Sequence, residues 1–324
     1  MRRGELDRTS SGSAAKTLTI LMRRQWDAKH VAFLACVALS VVIWWHPLTA
    51  TWQLATRSDG YTYILLIVPL SLSLTYLEGK NIAPDSGGNR WIGMVLLGIA
   101  LLLRISIAGD LWQLTASEGL SASIFSLVLW WIGVVIACFG TEIFRSHLFP
   151  LCFLFLIVPL PERTLDWATV FLQRQSAWST SALFQLIGVP VTRDGVVLSI
   201  PGLTIQVEQE CSSIRSSTIL VIVALILAYL FLKAPWRKIV LVAATIPTSI
   251  FKNAIRISII AELGTRVNPS FLHGGLHRHG GIVFLSLAVL VIVGLLWLLR
   301  RGEIEAAPAR HKELSHLRSS DEAL

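Results

Sequence analysis

"GIVFLSLAVLVIVGLLWLL", Gly281 to Leu299, runs for 19 residues without a charged side chain. A helix needs about 20 apolar residues to match the hydrocarbon core of a bilayer. Runs of similar character lie around residues 31–49, 61–77, 91–108, 122–140, 148–160, 214–232 and 239–260. Eight candidate spans predict an all-α polytopic membrane protein. The whole composition agrees: 54% of the residues are hydrophobic and 15% charged, where a soluble domain carries about a quarter charged. The fifth run, "HLFPLCFLFLIVPLP", is short and bracketed by Pro150, Pro159 and Pro161, so it either crosses or turns back within the bilayer.

The net charge of +8 would suggest a nucleic-acid partner in a soluble chain. Here the Lys and Arg residues sit mainly at the ends of apolar runs, where they set orientation, and no nucleic-acid partner is expected. Arg2, Arg3, Arg8, Lys16, Arg23, Arg24 and Lys29 make residues 1–30 a basic cytoplasmic tail by this rule, with no cleavable signal in it. Counting eight spans from there leaves Lys233, Arg237, Lys238, Arg300 and Arg301 inside as well, and residues 300–324 form a second cytoplasmic tail. Residues 31–299 are the membrane domain. The twelve Trp residues suit headgroup depth or packing between helices.

The same count places residues 161–212 on the outer face, as the one sizeable stretch besides the tails that is not membrane span. "TLDWATVFLQRQSAWSTSALFQLIG" has apolar positions at roughly helical spacing, which predicts a helix along or dipping into the surface. Asp194-Gly195 between two β-rich runs reads as a hairpin turn, and Leu203, Ile205 and Val207 alternate with polar neighbours. A small extracytoplasmic β-hairpin element therefore feeds into Cys211.

Cys211 falls where that alternation stops and the sixth apolar run begins. A helix N-terminus favours an anion, so a thiolate there is stabilised, and Arg215 one turn along acts in the same direction. Glu208 and Glu210 oppose it. The choice lies between a reactive thiol and a buried structural one. The other cysteines, Cys36, Cys138 and Cys152, lie within candidate spans and read as structural. Within "KNAIRISII", Lys252, Asn253 and Arg256 share a helix face inside an apolar run, where ionised groups are costly and turn either inward or to the headgroups. Arg256 falls close to the outer boundary by its distance from Lys238. "FLHGGLHRHGG" brings His273, His277 and His279 to the outer start of the last run, and imidazole exchanges protons near neutral pH. HxxxH and HxH spacings also suit zinc, but several glycines and the lack of a fourth donor argue against it. No metal and no cofactor is expected.

A thiol, a guanidinium and an imidazole thus arrive at one membrane face from three distant segments, the arrangement for nucleophilic acyl transfer. In that order, "VPLPERTLDWATVFLQ", "LIGVPVTRDGVVLSIPGLTIQVEQECSSIRSS", "IPTSIFKNAIRI" and "LHRHGG" resemble the exosortases, bacterial membrane cysteine transpeptidases. The resemblance is firm over about residues 150–285. It implies cleavage of exported, membrane-anchored proteins near a C-terminal sorting tail, in the commonest case a Pro-Glu-Pro motif, an apolar helix and a basic end. The cut protein passes to an acceptor in the envelope or an exopolysaccharide matrix. It implies Cys211 as nucleophile, Arg256 as the helix-borne arginine, and His277, with His279 as the alternate, as general acid and base. Arg215 and Asn253 are supporting residues. It also implies the inner membrane, with the site on the periplasmic face and both termini cytoplasmic. Ser213 stands where the family often has glycine. Two other readings use the same features: an intramembrane cysteine protease that hydrolyses without transfer, and a transporter or polysaccharide-export component with Lys252 and Arg256 along its path. Matched repeat halves or broken helices, common in transporters, are not found in the sequence.

Overall fold

The computed structural model describes residues 28–79, 89–207, 214–267 and 281–303. Both predicted tails, residues 1–30 and 300–324, fall mostly outside them. Among the described residues, six helices are long and apolar enough to cross a membrane, or up to eight if each of two bent pairs is one span. The chain is a polytopic all-α membrane protein with one small sheet. It divides into two compact units, Met1–Glu162 and Arg163–Leu324.

The first unit contains α1 (Ala28–Ile43), α2 (Trp45–Arg57), α3 (Ile64–Glu78), α4 (Trp91–Ala108), α5 (Ala116–Phe139), α6 (Thr141–Ser146) and α7 (Leu148–Phe153). The first apolar run is not one straight helix: α1 and α2 bend by 75° at Trp44. The cause is local. A proline lacks the N–H that would bond to the carbonyl four residues back and its ring crowds that carbonyl, and Ile43, the last residue of α1, lies four before Pro47. The same offset separates Ser146, where α6 ends, from Pro150. The fifth run itself consists of α7 and a 3₁₀ turn at Leu154–Ile157. That piece is too short to cross by itself at about 1.5–2 Å per residue.

Packing in this unit is by small residues and by tryptophan. A Cβ on Gly93 of α4 would come 2.3 Å from the backbone nitrogen of Ala137 in α5, so only glycine lets these two backbones lie so close. Trp44 Nε1 donates to Ser126 Oγ (2.9 Å), Trp130 Nε1 to the Cys36 carbonyl (3.2 Å) and Trp131 Nε1 to Ser40 Oγ (3.1 Å). These three indoles therefore join helices, the second of the two roles open to them. Carbonyls around the proline-rich fifth run are met by hydroxyls: Ser71 bonds the Pro150 carbonyl, Ser121 that of Pro159, and Tyr61 that of Leu160, at 2.7–2.9 Å. Irregular backbone at membrane depth survives where such partners exist.

The second unit opens with α8 (Glu162–Leu186), continues through three short strands, β1 (Thr192–Asp194), β2 (Val197–Ile200) and β3 (Leu203–Gln206), and then enters α9 (Ile214–Phe231), α10 (Pro235–Ala243), α11 (Thr245–Arg266) and α12 (Gly281–Glu303). The expected hairpin is a three-stranded antiparallel meander in the order β1-β2-β3. Its first turn is Gly195-Val196, one residue later than Asp194-Gly195, because Asp194 itself pairs with Val197. Its second turn is Pro201-Gly202, with Gly202 at φ 81°, the residue order of a type II turn. The joint between α10 and α11 repeats the proline rule, since Ala243 lies four before Pro247.

Leu220, Ala224, Ala228 and Leu232 of the α9 line pack with Leu241 and with Ala288, Ile292 and Leu296 of α12. At the far end of α9 the Glu303 carboxylate accepts from the N–H groups of Lys233 (3.1 Å) and Ala234 (2.7 Å). An anion there satisfies donors at the start of α10. Arg237 Nη1 donates to the Leu299 carbonyl beside it (2.6 Å).

Candidate active site

In α8 the residues turned inward are Thr169, Leu172, Gln173, Ser176, Ala177, Thr180, Ser181 and Phe184. Their spacing is helical, as expected, but the face is the reverse of a soluble amphipathic helix. Trp167, Phe171 and Trp178 point out while hydroxyls and an amide point in. Lipid is itself an apolar solvent, so polar groups gain most by meeting one another inside the bundle.

α11 supplies the matching stripe. Thr245, Ser249, Lys252, Asn253, Arg256 and Ile257 are all buried; Asn253 is 0% and Arg256 8% exposed. Of the two courses open to the cations, headgroup snorkelling is therefore not taken by Lys252. Its ammonium donates to Ser216 Oγ of α9 in a buried bond. Arg256 stands one turn further along the same helix.

The sheet and α8 reach the same turn of α11. Val207, directly after β3, packs with Ala177 of α8, Leu198 of β2 and Ile257 of α11. Gln173 Nε2 of α8 donates to the Val207 carbonyl (3.3 Å). A second cluster, Phe184, Val189, Ile200 and Ala261, fastens the sheet one turn beyond. Among the described residues, α11 is thus met at Val207, before Cys211 in the chain, and at Ser216, after it.

Cys211 lies between those points, three residues before the first residue of α9, and falls outside the described residues; so do His277 and His279, which precede α12. Arg215 is the second residue of α9 and its side chain is exposed. The coordinates thus place Arg256, Asn253 and Arg215, and bring the first two together with Lys252. Below this turn lies a cavity of about 590 Å³ lined by Gln175 and Ser179 of α8, Thr248, Phe251 and Lys252 of α11, and Leu287 of α12, among others.

The family described as transmembrane exosortase (Exosortase_EpsH) matches the chain over residues 44–294. The chain belongs to this family. No curated protein and no solved structure matches it. The matched region of this exosortase runs from Trp44, where α1 gives way to α2, to within α12, and contains the cysteine, arginine and histidine positions singled out in the sequence.

Two features of the exosortase site escaped the sequence reading, the inward bonds of Lys252 and of Gln173. The signal for Gln173 was present: Thr169, Gln173, Ser176 and Thr180 form a polar stripe at intervals of three and four. A stripe marks one face, however, and its acceptor, the Val207 carbonyl, lies 34 residues away. Cys36 and Cys138 are half-buried and unbridged, and Cys152 is unbridged and exposed.

Proposed function

We propose that this exosortase is a cysteine transpeptidase that cleaves membrane-anchored proteins near a C-terminal sorting tail. The observation that carries the reading is that both ends of the segment bearing Cys211 are held against the α11 turn that bears Arg256. Val207 packs on Ile257, and Ser216 is bonded to Lys252. Arg256 lies about 6 Å beyond Lys252 along the axis of α11, on the same buried face. α12 begins at Gly281, and His277 precedes it by four residues.

In the mechanism His277 takes the thiol proton of Cys211, and the thiolate attacks the peptide carbonyl at the cleavage point. Arg256 donates to the oxyanion that forms, with Asn253 beside it on the same face. The C–N bond then breaks, His277 protonates the departing amine, and the acyl group remains on sulfur as a thioester. An incoming amine attacks the thioester, gives its proton to His277 and leaves with the acyl group, and the thiol is restored. Water in place of the amine gives hydrolysis. Arg215 supports the segment from α9. The cavity bounded by Phe251, Leu287 and Trp178 suits an apolar stretch continuing into the bilayer from the cut bond. By the distribution of basic residues the site faces away from the cytoplasm with both termini cytoplasmic, and the family resemblance implies the periplasmic face of a bacterial inner membrane. On this reading residues 31–299 are the catalytic membrane domain, and no cofactor takes part.

The test is co-expression with a reporter ending in a short motif, an apolar span and an arginine cluster taken from the host genome. The native chain shortens the reporter, and Cys211→Ala leaves it full length in the membrane, a loss of at least about 10³-fold. Full processing by Cys211→Ala would overturn the reading. Mass analysis of the product separates transfer from hydrolysis.

A further inference from the structure

The cavity that Lys252 lines has walls that a purely apolar occupant does not require. Trp178, Phe251 and Leu287 border it and are each roughly half exposed, so it opens to lipid. Among these apolar walls stand Gln175 and Ser179 of α8, one turn apart, and Lys252 of α11. An ammonium carries three donors, and Ser216 takes one of them. Among the described residues the side chains of Gln175 and Ser179 have no hydrogen-bond partner, and no carboxylate lines the cavity. The level is deep. Lys252 lies about 21 Å beyond Lys238 along the span Pro235–Arg266, in a hydrocarbon core of about 30 Å. Lipid tails offer no acceptor at that depth, and a donor left facing them is costly. A helix offers none either, since its carbonyls are already bonded within the segment.

An unwound chain does offer acceptors. A peptide bond inside a helix has its carbonyl bonded, so attack on it needs the helix opened locally, and every carbonyl thus freed in lipid needs a donor. We infer that the cavity receives the first residues of the substrate's apolar tail as unwound chain, with Lys252, Gln175 and Ser179 donating to the carbonyls that unwinding sets free. This deepens the proposed cleavage of membrane-anchored proteins and rests on it. Arg256 stands about 6 Å from Lys252 along α11. That distance equals about two residues of extended chain or about four of helix. The carbonyl that meets Lys252 therefore belongs to about the second residue past the cut bond.

The experiment holds a reporter on the full chain in membranes. Cys211→Ala is combined with alanine at Cys36, Cys138 and Cys152 and with Ser179→Cys, and a single cysteine is moved residue by residue through the start of the reporter's apolar span. Disulfide formation is expected at every second position, the period of extended chain. A period of three to four residues, or no cross-link at any position, overturns the proposal. Kinetics on the otherwise native chain give an independent readout. Gln175→Leu and Ser179→Ala are each expected to raise KM by about 2- to 10-fold, and Lys252→Met by about 10-fold or more, with smaller changes in kcat. A reporter with Gly in place of Leu in the first turn of its span should be cut about fivefold faster per glycine, because each weakens the helix. Unchanged KM in all three variants, or equal cleavage of the two reporters, also overturns it. If Lys252→Met fails to fold, the two α8 variants carry the same test, since neither removes a charge. Full cleavage by Cys211→Ala would instead sink the nucleophile assignment. The cross-links lie on the tail side of the cut bond and need no catalysis, so the two failures are told apart.

Discussion

The two units are built from equally apolar helices but use their buried polar groups differently. In Met1–Glu162 many of the groups are spent on the backbone and on joining helices: hydroxyls of Ser71, Ser121 and Tyr61 meet carbonyls around three prolines, and Trp indoles tie α1 and the bend at Trp44 to α5. In Arg163–Leu324 a lysine, an arginine, an asparagine and a glutamine are buried with a set of serines. Ser176, Ser217, Ser249 and Ser258 have no hydrogen-bond partner among the described residues, against Thr51 Oγ1, Glu78 Oε2 and Arg104 Nε in the first unit. An apolar membrane interior needs the first kind of polar group to fold at all. The second kind adds charge and hydrogen-bonding capacity beyond what helices of this length need, and this surplus marks where chemistry is to be sought.

That contrast can be broken by substitutions on its two sides. The largest effect is expected at Arg256→Gln, which keeps an N–H donor on a shorter side chain and removes the charge that the proposed mechanism sets against the oxyanion. Reporter cleavage should fall by about 10² to 10³-fold while folded yield changes little. Collapse of the protein in detergent, with activity per folded molecule intact, would make Arg256 structural and erase the distinction. Next comes Gly93→Val in the first unit. With no room for a Cβ beside Ala137, α4 and α5 must separate, at about 1–3 kcal/mol or more. Thermal unfolding should shift down while kcat of the surviving folded fraction stays the same. The smallest is Trp44→Phe, which loses the bond to Ser126 and should cost about 0.6–1.7 kcal/mol of stability, the range for hydrogen bonds between membrane helices. A fall in kcat per folded molecule in Trp44→Phe would show that the first unit also tunes the chemistry.

Much of this was readable beforehand, for reasons that differ by element. Long uncharged runs such as Gly281–Leu299 leave no alternative to a spanning helix, and the described helices follow them closely. The break at Trp44 was also legible in principle, since Pro47 announces it four residues ahead, as Pro247 does for Ala243. The strand after Pro201-Gly202 was half visible in the alternation of Leu203, Ile205 and Val207; its pairing with Leu198 and Ile200 was not. For α8 the period was right and the inward face was not, because a period identifies two faces without saying which one meets lipid.

For the site, the residue types at positions 211, 256 and 277 suggested a reaction, and the matched family agrees with the class of protein. The bonds from Lys252 to Ser216 and from Gln173 to Val207 join residues 36 and 34 positions apart. No local pattern encodes such partners.

The sequence by itself determined that this chain lives in a membrane, that it crosses several times, and that it belongs among the exosortases. Those properties follow from solvent transfer and residue order, which are local. Only the tertiary structure decided that the polar face of α8 turns inward and that the ends of the cysteine segment are fastened to the Lys252–Ile257 turn of α11. A buried donor selects its acceptor from whatever the packing brings within 3 Å or so, and that neighbourhood exists only once the helices have assembled.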